Sequence, residues 1–437
     1  MSGSTPSSAS ITATGGNIDL YATSVYSQAL YMWENSSITT EDGDISITAN
    51  TPGGQIDLGA NGTPPNATIS STNGNVTLTM DEISLTGGTA HTIYAGDTLS
   101  IFTFTSSATI GIGGGSGTQN LNADELSSLN AGNKIVIGRD GVQTGDVDIN
   151  AWDMTGKSYD VEIYGNDINM GGITMGEGSL LAHAQDNGGD EGDLRIDGDI
   201  SRNANGTATL DIRADRNILL SGYNLTANDA NSDGDNDAAT DADSLNIIFN
   251  SDRDADEDGR IEVYSSTINT LGGYVVMGGG NGDVGGANGI LGDGDGTGAD
   301  DAFAYAVGDW HGISVFNNTS ITTSGGDAIF HGNAKGAGTE SGFTLYTSTI
   351  DTGEGNISIT GTSTGDTSNP KGIEISANDS VSSIIRTTEG DIDLIGNAAN
   401  GHALYFWKDS QVSTTDGNIN IEALSSSTND IAASAGA

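Results

Sequence analysis

A branched aliphatic residue, four small or polar residues, a glycine five positions on and a second apolar segment from the seventh position: this pattern recurs eight times along the chain. It begins as Ile11-Thr-Ala-Thr-Gly-Gly16-Asn-Ile18-Asp-Leu20 and returns at Ile38…Gly43…Ile45, Ile69…Gly74…Val76 and Ile268…Gly273…Val275. It then recurs at Ile321…Gly326, Ile350…Gly355…Ile357, Ile385…Gly390…Ile392 and Val412…Gly417…Ile419. Within each segment apolar residues alternate with Ser, Thr, Asp and Asn, the period of a strand with one face turned inward. The glycine is expected at a sharp corner between two strands, where positive φ excludes residues with a Cβ.

Successive copies lie 27, 31, 29, 35 and 27 residues apart, the size of one coil of a stacked repeat. The 53-residue step from Ile268 to Ile321 is expected to hold two coils. A third alternating run precedes several copies: Ala29-Leu30-Tyr31-Met32-Trp33, Gly312-Ile313-Ser314-Val315 and Ala403-Leu404-Tyr405-Phe406-Trp407. Three short strands per coil predict an all-β, single-stranded parallel β-helix, or β-solenoid, running through residues 1–437. Regular coils are expected over 9–112 and 261–424, irregular ones over 113–228. Acidic excursions are expected around one strand in 228–260 and again in 278–301, with a tail at 425–437.

Composition narrows the class further. Gly 66 with Pro 5 is too proline-poor for collagen or a disordered linker, and 35% hydrophobic residues suits a thin tube with a narrow aliphatic column. The net charge of −46 is carried mainly by Asp, a residue of turns, caps and calcium ligation. Nucleic acid is excluded as a partner, since phosphate binding needs clustered Lys and Arg and the chain has only 13. No apolar run of about 18 residues or more occurs, so no segment is expected to span a bilayer as a helix and no membrane insertion is expected. The absence of Cys suits export without disulfides, and the start, Met1-Ser-Gly-Ser-Thr-Pro-Ser-Ser, does not read as a signal peptide. Entry into the repeat by Ile11 suggests an excerpt of a longer exported chain or a filament subunit.

Three stretches carry a family likeness: Asp199-Ile-Ser-Arg through Ala214-Asp-Arg-Asn-Ile-Leu-Leu, Asn250 through Val263, and Ser266-Thr-Ile-Asn-Thr-Leu-Gly-Gly through Gly280. Together they resemble the passenger repeats of filamentous-haemagglutinin-like exoproteins. The resemblance implies a right-handed β-helix, export by two-partner secretion and work as an adhesin or contact-dependent effector at the bacterial surface. The Asn-Pro-Asn motifs of that family's secretion domain are missing; the only Asn-Pro is Asn369-Pro370.

Calcium is the cofactor the acidic segments suggest. In Asp252-Arg-Asp254-Ala-Asp256-Glu-Asp258-Gly259-Arg-Ile261-Glu262, alternate carboxylates followed by a glycine bend match the first half of a calcium loop. The twelfth position is Ser265, so Glu262 or a neighbouring loop is expected to complete the shell, with Asp233, Asp235 and Asp237 as the second contributor. The bland alternative is a solvated acidic turn. Tyr31 with Trp33, and Tyr405 with Trp407, should point outward in pairs and could stack on sugars or simply cover the tube.

Catalysis is disfavoured. A hydrolase would need two carboxylates about 5–10 Å apart across a groove, which abundant Asp could supply, and a polyuronate lyase would need cations that this surface lacks. His91, His183, His311, His331 and His402 stand alone and are expected at the surface. The sequence thus points to an extracellular or surface-displayed adhesive stalk whose partner is a host or neighbouring-cell glycan or protein. A self-stacking filament subunit is the first alternative, a polysaccharide-acting enzyme the second.

Overall fold

Among the described residues the chain is built from short parallel strands, with a single helix at Ala123–Ser128. The structure, a computed structural model, describes residues 9–24, 28–33, 35–59, 67–85, 91–188, 192–228, 243–254, 256–280, 303–307, 310–336, 340–365, 369–426 and 431–434. It divides into two units, Met1–Gly172 with Gly178–Ala182, and Ile173–Glu177 with His183–Ala437. Each is a right-handed parallel β-helix with about three strands per coil.

In the first unit, strands Ser10–Ala13, Ser37–Thr40, Thr68–Ser71, Thr92–Ala95 and Leu129–Ala131 stack in one parallel sheet. Ile18–Ala22, Ile45–Ala49, Val76–Thr79, Thr98–Phe102 and Lys134–Ile137 stack in the next. Register follows the aliphatic residues. Ile11, Ile38, Ile69, Ile93 and Leu129 form one column, and Ile18, Ile45, Val76, Leu99 and Ile135 another. From Ile45 onward members of the second column are at most 1% exposed, so each contributes about 1.5–3 kcal/mol of apolar burial. A slip of one residue would turn a whole column outward.

The second unit repeats the plan. Ile247, Val275, Ala328, Ile357 and Ile392 line one inward column, and Ile268, Ile321, Ile350 and Ile385 a second. Ile268 pairs directly with Ile321, and Val275 with Ala328, so the 53-residue step is one coil and not two. Within this step lie strand Val275–Gly279 and strand Ala304–Val307, the latter paired with Gly332–Lys335. Residues 281–302 lie outside the described set. The stretch expected to be a tail holds a further strand, Ile431–Ser434, in register with Leu404–Trp407.

The repeat glycines are not positive-φ residues. Gly43, Gly74, Gly326, Gly355, Gly390 and Gly417 are absent from the left-handed positions, which fall instead on neighbours such as Leu271, Gly272, Ser324, Gly325 and Gly353. Their requirement is steric. A Cβ on Gly43 would stand 2.1 Å from the Gly16 carbonyl oxygen, and one on Gly355 would stand 2.1 Å from that of Gly326. For Gly390 over Gly355 and Gly417 over Gly390 the distance is 2.0 Å. The backbones of successive coils approach so closely at this corner that only hydrogen fits.

Side-chain hydroxyls seal the same corner. Ser71 Oγ donates to the Gly43 carbonyl at 2.7 Å and accepts the Gly74 N–H at 2.9 Å; Thr40 bridges Gly16 and Gly43 in the same way. Thr387 donates to Gly355 and accepts from Gly390. Just outside runs a ladder that alternates amide and acid. Asn356 donates its backbone and side-chain N–H groups to Asp327 Oδ1, Asp391 donates its N–H to Asn356 Oδ1, and Asn418 donates twice to Asp391 Oδ1. These bonds hold the Asp391 carboxyl below the usual carboxylate range.

Replacement of Gly355 by Ala should destabilise the protein by about 3 kcal/mol, because the atoms its Cβ would meet are backbone of the preceding coil and cannot swing aside as a flexible side chain could. Gly15→Ala, with nothing within 4 Å of its added Cβ, should stay within about 0.5 kcal/mol of the parent. Thermal melts of the two variants provide the comparison.

Candidate functional site

Two features on the second unit carry chemistry: an acidic loop and an aromatic groove. The loop follows strand Leu245–Ser251, where Asp252 takes φ 52° and folds the chain back on itself. Asp252, Asp254 and Asp256 then converge, each offering one carboxylate oxygen within 4.8 Å of the others, a set that could hold a metal ion. Asp252 is only 3% exposed, and its Oδ1 accepts the backbone N–H groups of Glu257 at 3.0 Å and Asp258 at 3.3 Å.

Burial first, and then the neighbouring carboxylates, push the Asp252 carboxyl up to about 8 and that of Asp254 up to about 6. Asp258 and Glu262 are not part of this trio. Ile261 enters the core, so strand alternation turns Glu262 outward, where its carboxylate lies 3.8 Å from Arg260 Nε. Glu262 thus lies beside Arg260 and outside the trio. Asp233, Asp235 and Asp237 lie outside the described residues.

The aromatic pairs fare differently from each other. Tyr31 and Trp33 do emerge together, 45% and 43% exposed, with ring centroids 5.6 Å apart beside an open cavity of about 430 Å³ in the first unit. Tyr405 and Trp407 occupy alternate, same-face positions of strand His402–Trp407. Tyr405 stacks on His402 at 5.5 Å and has the Lys371 ammonium 5.1 Å from its ring centre. Trp407 instead joins a column that sequence reading missed.

Register places Tyr264, Phe316, Tyr346, Ser376 and Trp407 one above another on successive coils. Each aromatic member ends its strand, and all but Ser376 precede a corner residue with positive φ: Ser265, Asn317, Thr347 and Lys408. Phe316 meets Tyr346 edge-on at 6.3 Å and His311 edge-on at 5.7 Å. With Asn317, Thr344 and Glu374 these side chains line an open cavity of about 380 Å³.

His311 Nδ1 accepts the Ser341 N–H at 2.9 Å, which assigns the ring proton to Nε2. Burial pushes its pKa down, so it stays neutral at physiological pH. The histidines are thus not the free surface residues expected from sequence. His91 is 2% exposed, His183 Nε2 lies 2.9 Å from Asp215 Oδ1, and burial lowers the pKa of His331.

The column was legible in principle. Aligned by coil, Ile-Glu-Val-Tyr264, Ile-Ser-Val-Phe316, Phe-Thr-Leu-Tyr346, Ile-Glu-Ile-Ser376 and Leu-Tyr-Phe-Trp407 share one outward position. Treating the 53-residue step as two coils hides that alignment.

The acidic trio sets a pH dependence. Because the folded-state pKa values of Asp252 and Asp254 lie above the unfolded value of 3.8, the folded protein binds extra protons, and stability falls as pH rises from about 4 to about 8. Asp252→Asn keeps the Oδ1 acceptor and removes the charge. In chelator it should match the parent near pH 4 and exceed it by at least about 1 kcal/mol at pH 8, as read from pH-resolved melts.

Scanned against protein-family models the chain matches none, and comparisons with curated proteins and with solved structures likewise give no match.

Proposed function

We propose that the chain is an adhesive and structural segment of a bacterial exoprotein of the filamentous-haemagglutinin type, secreted or displayed at the cell surface, that binds a glycan or protein on another cell. The observation that supports this best is the aromatic column on the outer face of the second unit. Exposed Trp and Tyr presented at one register position on a rigid scaffold form a binding surface of low conformational entropy. The net charge of −46 directs it away from nucleic acid and anionic polymers. The purified chain should bind at least one immobilised glycan or cell-surface protein in a saturable manner. Retention of nothing, on arrays or on intact cells, overturns the proposal.

Calcium at Asp252, Asp254 and Asp256 belongs to the same reading. Their carboxylates are hard oxygen donors, and Asp252 and Asp254 must lose protons before a cation can bind. Millimolar calcium should raise the melting temperature by several degrees, with a larger effect at pH 8 than at pH 6, and EDTA should reverse it. A melting curve indifferent to calcium at both pH values removes the metal.

A further inference from the structure

The rings on the outer face of the second unit differ in what covers them. Arg260 stands 4.0 Å from the centre of the Trp310 ring, Lys371 5.1 Å from that of Tyr405 and Lys408 4.9 Å from that of Trp407. Tyr264, Phe316 and Tyr346 carry no cation among the described residues, although all three line the open cavity of about 380 Å³. Tyr264 is 40% exposed, and Phe316 and Tyr346 are half-buried, so their rings stay within reach of a side chain from outside. The cations of these coils are already committed. Arg260 lies beside Glu262, Lys371 pairs with Glu374 and Lys408 with Asp379, while Lys335 holds Glu257 and Arg386 holds Asp351.

The cavity itself favours positive charge. Glu374 Oε2 accepts from Lys371 Nζ at 2.8 Å and from Ser341 Oγ at 3.3 Å, whereas Oε1 has no partner among the described residues and keeps its lone pairs for a further donor. Burial lowers the pKa of His311 and keeps it neutral, so it repels no cation; the charges acting on it are the carboxylates of Glu374 and Glu340 and the single ammonium of Lys371, an excess of one negative charge. Around the cavity is a chain of net charge −46, whose field gathers cations and repels anionic polymers. Rings beside a carboxylate recognise a basic side chain through the ring quadrupole and a charge-assisted hydrogen bond. A guanidinium suits them better than an ammonium, because it is planar, stacks on rings and is more weakly hydrated.

We infer that this cavity is a docking site for an arginine side chain of a basic partner protein, seated against the rings of Phe316 and Tyr346 with Glu374 Oε1 as its acceptor. This inference deepens the adhesive function proposed above and rests on it, since it assigns the partner at this groove to basic protein segments and not to glycans. The column continues through Tyr264, so a segment with more than one arginine meets further aromatic surface and should bind more tightly than a single side chain.

Saturation-transfer NMR and calorimetry on the full chain test the site, with the blocked peptide Gly-Gly-Arg-Gly-Gly as the probe. The controls are the same peptide with citrulline, which keeps the shape and loses the charge, and with Glu in place of Arg. The arginine peptide should bind, the citrulline peptide should bind at least tenfold more weakly, and the Glu peptide should not bind. Tyr346→Ala and Glu374→Gln should each weaken binding of the arginine peptide at least fivefold. Trp33→Ala, in the first unit, should leave it unchanged.

Equal binding of the arginine and citrulline peptides by the parent, or arginine binding that survives both substitutions in the cavity, overturns the site while the adhesive function stands. Chitohexaose binding that Tyr346→Ala abolishes also overturns it, because the groove then belongs to a glycan. No binding of the arginine peptide, with glycans or cells still retained, overturns the site alone; retention of nothing at all overturns both.

Discussion

Close approach of backbone to backbone at one corner of each coil is the constraint on which the structure depends. Strands of successive coils are hydrogen-bonded in parallel register, which sets their spacing at about 4.8 Å. At the corner before strands such as Ile45–Ala49 and Ile357–Ser363, that spacing brings a glycine Cα directly beneath the carbonyl of the glycine one coil back. A single methyl group there would sit about 2 Å from an oxygen, far inside contact distance. The stacked glycines therefore fix where each coil turns, and the aliphatic columns on either side follow from where the turn is placed. A second seam of the same kind runs where Gly332, Gly361 and Gly396 pass the carbonyls of Gly342, Gly372 and Ala403, and it keeps the tube thin.

The polar composition follows from the same geometry. A corner buried against its neighbours leaves backbone groups to be satisfied, and Thr40, Ser71, Thr352 and Thr387 meet that need with hydroxyls that reach glycine carbonyls or N–H groups. One position further out, alternation of Asp and Asn lets each carboxylate accept from the coil above without stacking charge on charge. Much of the acidity is thus structural, spent on backbone hydrogen bonds. The loop at 252–258 is the exception, since three carboxylates converge there and burial raises the pKa of two of them.

The groove illustrates how repetition turns a sequence position into a surface. No single coil holds a site; Tyr264, Phe316, Tyr346 and Trp407 come from four strands spread over more than a hundred residues. Only the pairing of each strand with the next makes them neighbours.

The period of the glycine motif and the two-residue alternation around it were enough to specify a parallel β-helix with three strands per coil, because both are local consequences of one repeated corner. They also marked Asp252, Asp254 and Asp256 and the outward Tyr31 and Trp33, since spacing along a short segment is retained in the fold. Tertiary structure alone decided what depends on distance between coils. It showed that the conserved-looking glycine answers a steric demand from the preceding coil and not a left-handed φ, that Ile268 and Ile321 are direct neighbours, and that Glu262 faces Arg260. It also placed Trp407 in register with Tyr346, Phe316 and Tyr264 from earlier coils, because register between strands is set by packing that no single segment encodes.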